Sequence, residues 1–106
     1  MKSPARHLLP APLTRSLTKF GADIRVARKK RQLTIAMMCE RVGVTKVTYL
    51  KVERGDAGVS LGIYAMTLFV LGLGAPFSDL VDPRSDEAGL LSDESRLPQR
   101  VRVPTR

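Results

Sequence analysis

Residues 34–55 read TIAMMCERVGVTKVTYLKVERG, and the way this stretch folds decides the reading of the whole chain. Ile35, Met38, Cys39 and Val42 recur at i, i+3, i+4 and i+7, the apolar stripe of an amphipathic helix, with Thr34 placed to cap its N-terminus. Gly43 interrupts that pattern. A second helical run starts at Thr45, another N-cap residue, and continues through Glu53 to Arg54, where Gly55 ends it. Two helices of about two turns each, joined by a short connection that contains glycine, predict a helix-turn-helix.

The second of these helices has two opposed faces. At about 100° per residue, Thr48, Tyr49 and Val52 fall together and point inward. Val47, Leu50, Lys51 and Arg54 fall on the other side, with Lys46 at its edge. An ordinary solvated face also carries lysines. Here the basic face belongs to the second helix of a helix-turn-helix, which favours the major groove of DNA. There a lysine donates to guanine O6 and N7, and a methyl-bearing side chain touches the thymine methyl.

The same residues carry a family resemblance. Gly43, Val44, Thr45, Glu53, Arg54 and Gly55 stand at the spacing of the lambda-repressor-like (Xre) helix-turn-helix. The order FGADIRVARKKRQLT, GVTKVTYLKVERGDAGVSLGIY, LVDPRSDEAGL and SRLPQRVR resembles HipB-like antitoxins over residues 17–103. Four positions depart from that pattern. Ile35 stands where the family usually has a phosphate-holding Gln, Cys39 where it has Ala at the helix contact, and Lys46 and Val47 where relatives often place Gln.

The resemblance implies an all-α, compact five-helix DNA-binding domain. It also implies that Arg28 pairs with Glu53 and leans toward a phosphate. The implied function is repression of transcription from an operator. A HipB-like protein would in addition restrain a HipA-like Ser/Thr kinase toxin and repress their shared operon. Two alternatives stay open: an Xre-type regulator with no toxin, such as a phage-type repressor or a restriction-modification controller, and a protein-interaction adaptor on the same fold.

Charge is distributed to match a polyanion partner. The net charge is +8 over 106 residues, but residues 1–60 hold 13 Lys/Arg against 4 Asp/Glu, whereas residues 61–106 hold 5 against 6. The basic surface therefore travels with the helix-turn-helix. The length suits one folded domain. Cys39 is the only cysteine, so no internal disulfide is available, and a reducing compartment such as the cytoplasm suits it. Its place on the apolar stripe makes it a core residue rather than a nucleophile. With one histidine, no cysteine/histidine cluster and no phosphate-cradling glycine loop, the sequence points to no enzyme, metal or cofactor.

Three regions follow. Residues 1–13, MKSPARHLLPAPL, hold three prolines and no sustained period, which predicts a flexible arm. Residues 14–82 form the DNA-binding domain. Its first helix spans residues 15–31, with Leu17, Phe20, Ile24 and Ala27 inward and Arg25, Arg28, Lys29, Lys30 and Arg31 on the other faces. Some of these cations complement the helix dipole, and the rest suit phosphate contact. Residues 57–78 carry no charge. Glycines and Pro76 bound this run to a helix of about 12 residues, too short for the roughly 20 that a membrane span needs.

Within that helix Leu61, Ala65, Leu68 and Phe69 are expected in the core. A second apolar side of Ile63, Met66, Val70 and Leu71 then predicts a homodimer contact. Residues 76–81 predict a short fifth helix that gives Phe77, Leu80 and Val81 to the core. Residues 83–106 form an extended or disordered tail, an acidic block followed by an arginine strip. By the HipB-like resemblance this tail would meet a toxin through Leu97, Arg100, Val101 and Arg102, with Leu90, Leu91 and Val103 as further anchors.

In the mechanism these residues suggest, Arg28, Lys29, Lys30, Thr34 and Arg54 hold phosphates and set register. Thr45, Lys46, Val47, Leu50 and Lys51 approach base edges.

Overall fold

A computed structural model describes residues 9–91 and 96–103. Four α-helices form the domain: α1 (Ala11–Lys30), α2 (Ile35–Val42), α3 (Lys46–Glu53) and α4 (Leu61–Val70). The described residues contain no strand, and none of their helices is long and apolar enough to cross a membrane.

The three expected N-caps all close their helices. Thr34 Oγ1 accepts from the Met37 N–H at 3.1 Å, Thr45 Oγ1 from Thr48 N–H at 3.3 Å, and Ser60 Oγ from Ile63 N–H at 3.2 Å. Each bond satisfies a donor that the first helical turn leaves orphaned. Between α2 and α3 the chain reverses at Gly43, whose φ of +82° lies in the left-handed region. The Gly43 and Val44 N–H groups both return to the Cys39 carbonyl, at 2.9 and 3.1 Å.

The core gathers Ile24, Met38, Tyr49, Val52, Tyr64 and Leu71, with the rings of Phe20 and Tyr64 5.4 Å apart. α1 packs along α3, and α2 packs between α3 and α4. The α1–α3 approach is a backbone contact. A Cβ on Gly21 would stand 2.6 Å from the Glu53 carbonyl oxygen, and one on Gly55 would overlap the Leu17 carbonyl. Two glycines facing each other thus let the end of the third helix lie directly on the first.

Several expectations are corrected. α1 begins at Ala11, so residues 11–13 belong to a helix and not to an arm; residues 1–8 lie outside the described residues. The prolines are the reason. Pro12 sits in the first turn, where its missing N–H has no partner to lose and its fixed φ already suits a helix.

In α4 the inward residues are Tyr64, Thr67 and Leu71, while Leu61 and Phe69 are 67% and 71% exposed. Polar tips enter the core because they find partners. Tyr64 Oη donates to the Asp56 carbonyl at 2.6 Å and Thr67 Oγ1 to the Ile63 carbonyl at 2.8 Å. The expected dimer set changes with this phase. Leu71 is a core residue, and Ile63 and Val70 pack against the core from partly buried positions, so only Met66 keeps an outward place.

The expected fifth α-helix is a single 3-10 turn, Ala75–Asp79. Phe77 is partly buried, but Leu80 and Val81 are 70% and 87% exposed. Three apolar residues between Pro76 and Asp82 are too few to offset the cost of nucleating a helix. Beyond it the chain makes two further 3-10 turns, Pro83–Ser85 and Gly89–Leu91. Asp82 and Asp86 organise them by accepting from the Arg84 and Gly89 N–H groups at 2.8 and 2.9 Å. Residues 96–103 are exposed throughout.

Candidate nucleic-acid interface

The outward side of α3 is built by what its inward side holds. Tyr49 and Val52 have no exposed surface, and Thr48 is partly buried, which fixes the rotation of the helix. Val47 is then 66% exposed and Leu50 37% exposed; Lys46 and Arg54 are exposed and Lys51 partly so. Thr45 is exposed as well, but its hydroxyl is engaged. It accepts from the Thr48 N–H and donates to Thr48 Oγ1 at 3.2 Å.

A buried polar cluster locks α3 onto α1. Arg28 Nε donates to Glu53 Oε2 at 2.6 Å, Nη2 to Oε1 at 3.2 Å, and Nη1 to the Leu33 carbonyl at 2.9 Å. Tyr49 Oη donates to Glu53 Oε2 at 2.5 Å. Both side chains of the ion pair are 8% exposed, and the bidentate fork leaves no buried carboxylate oxygen unpartnered. The hydrogen bond to Glu53 raises the Arg28 guanidinium further above its ordinary value. Burial, then the bond to Glu53, raises the Tyr49 phenol well above its ordinary range and keeps it a neutral donor. Burial pushes Tyr64 up to about 12.

This geometry corrects one expectation. Arg28 is 7% exposed and its hydrogen bonds run inward, so it positions α3 and does not present a surface cation for phosphate. Arg31, counted with the basic run, is likewise engaged. Its Nε donates to the Leu71 carbonyl at 2.9 Å and its Nη1 to the Ala27 carbonyl at 2.9 Å, tying the end of α1 to the end of α4. Lys29 and Lys30 remain exposed at the C-terminus of α1, one turn from the Thr34 cap.

Of the basic run on α1, the structure also brings Arg25 to this site. Arg25 and Arg54 line one depression together with Ile35, Leu50 and the Arg28–Glu53 pair. Arg25 lies one turn before Arg28, so i, i+3 spacing was the available signal. Ile35, where the resembling family holds a phosphate with Gln, lines this depression and is partly buried. Cations from two helices therefore flank the start of α2 and the outward side of α3.

Leu97, Arg100, Val101 and Arg102 are exposed and none of them lines this depression, and Leu90 is exposed as well. Comparison of the chain with protein-family models, curated proteins and solved structures gave no match.

Proposed function

We propose that the protein is a sequence-specific, double-stranded-DNA-binding regulator that represses transcription by occupying an operator. The observation that carries this reading is the outward side of α3. It sets exposed Lys46, Val47, Leu50 and Arg54 beside the partly buried Lys51, on a helix held by a buried Arg28–Glu53–Tyr49 cluster. A rigid helix with methyl groups between cations matches the base edges of a major groove. Arg25, Lys29, Lys30 and Arg54 flank it as phosphate contacts that set register. The α2–turn–α3 segment is then a helix-turn-helix with α3 as its recognition helix.

The regulator acts as a homodimer in this reading. Leu61, Met66, Phe69 and Leu73 are 67%, 40%, 71% and 41% exposed around α4 and its end, an apolar side that a second copy would cover. A twofold dimer places two recognition helices about one DNA turn apart.

The test separates base contacts from phosphate contacts. Lys46→Ala should relax base preference at one position, whereas Lys29→Ala should weaken all duplexes alike. Equal weakening by both would remove α3 as the reading element. The resemblance of the tail to HipB-like antitoxins is the ground for a second reading, a further protein partner of the HipA-like kinase class. Leu97, Val101 and Val103 are 61%, 82% and 86% exposed among arginines. Co-purification of the full chain with a kinase-like product of the adjacent reading frame, lost on Val101→Asp, is the expected result; none would leave a regulator without a toxin.

A further inference from the structure

The chemistry available on α3 restricts which bases it can tell apart. Adenine is read from the major groove by a bidentate amide, and cytosine by a carboxylate that accepts from N4. The chain has no asparagine and two glutamines, Gln32 and Gln99, neither of them on α3. The single carboxylate of α3, Glu53, is buried and bonded to Arg28 and Tyr49. The Thr45 hydroxyl is engaged in the cap. With Arg54 assigned to phosphate at the end of the helix, what remains toward the bases is two lysine ammonium groups, Lys46 and Lys51, and the methyl groups of Val47 and Leu50.

Val47 and Leu50 are three residues apart on one helix, so their side chains are surface neighbours. Their exposure matters here, because the interior is already filled by Tyr49 and Val52. Cations on both sides make an anionic partner the fitting one, and in duplex DNA the apolar group displayed between phosphates is the pyrimidine 5-methyl.

We propose that α3 identifies A·T pairs through the thymine 5-methyl group, met by Val47 and Leu50, and G·C pairs through lysine contact with guanine. This rests on the DNA-binding reading above and names what that reading recognises. The half-site then carries guanines and thymines, on either strand, and the adenines paired with those thymines contribute no contact. 5-Methylcytosine, which shows the same methyl in the groove, substitutes for thymine better than cytosine does.

The experiment uses the full chain to select duplexes from a random-sequence pool, then resynthesises the selected site with deoxyuridine in place of each thymidine in turn. At one or two thymines per half-site, loss of the methyl should weaken binding about fourfold, the change expected for one buried methyl group. Val47→Ala or Leu50→Ala should abolish that difference at one of those thymines while each variant keeps its helical content and melting behaviour. 7-Deazaadenine opposite the same thymines should leave affinity unchanged, and 5-methylcytosine should bind more tightly than cytosine there.

A selected site that binds equally well with deoxyuridine at every position overturns the inference and leaves DNA binding standing. So does a site weakened by 7-deazaadenine in place of deoxyuridine. A pool from which no duplex is enriched, with no binding at low ionic strength, overturns the DNA-binding reading and this inference together.

Discussion

Arg28 and Glu53 lie 25 residues apart in the chain and meet in a buried fork with Tyr49 as a third member. Removing a partner from such a pair costs far more than the net value of the pair, because the remaining charge stays out of water. Glu53→Gln keeps one carbonyl acceptor but leaves the Arg28 cation without its counter-charge. We expect a loss of about 3 kcal/mol in chemical denaturation, together with weaker duplex binding, since α3 loses its tie to α1. Unchanged values for both would show that the fork does not position the helix. Family resemblance pointed to the pairing of Arg28 with Glu53, whereas the participation of Tyr49 was not legible. An inward tyrosine four residues before a glutamate has many other possible partners, and only the packed core brings its hydroxyl to that carboxylate.

At the scale of elements, the α1–α3 contact depends on Gly21 and Gly55. Gly21→Ala should force the two backbones apart, since its Cβ would stand 2.6 Å from the Glu53 carbonyl oxygen. Overpacking of this kind costs about 1–3 kcal/mol, and thermal unfolding should fall by on the order of 10 °C. A melting temperature within a degree or two of the parent would contradict the contact.

The helices themselves were legible where caps and amphipathic stripes agree. Thr34, Thr45 and Ser60 each cap where the sequence places them, and Tyr49 and Val52 point inward as the helical period requires. α4 was illegible in phase, because a helix apolar on every side gives periodicity nothing to choose between. The Tyr64 hydrogen bond to the Asp56 carbonyl outside the helix goes with the phase that leaves Leu61 and Phe69 outward. The expected fifth helix failed for another reason. Its apolar residues have a helical spacing but not the length to hold one, and the chain settles into a 3-10 turn. Gly21 left no mark in the sequence, since a glycine inside a helical stripe does not announce what it faces.

On the scale of the whole molecule, the proposed function rests on two surfaces, an apolar side around α4 and a basic side around α3. If the first is a dimer contact, Phe69→Asp should convert a dimer into a monomer in sedimentation velocity at micromolar concentration while helical content is kept. A monomeric parent would remove that contact. For the second surface the direct measurement is duplex affinity as a function of salt. Each neutralised phosphate contributes a slope of about −0.9 in log affinity against log salt. Contacts from Arg25, Lys29, Lys30 and Arg54 on each protomer predict a slope of about −3 to −4 per protomer. Steep, salt-dependent binding of that order is the result expected. Indifference to every duplex at low ionic strength, or an affinity flat in salt, would contradict a DNA-reading role for this protein.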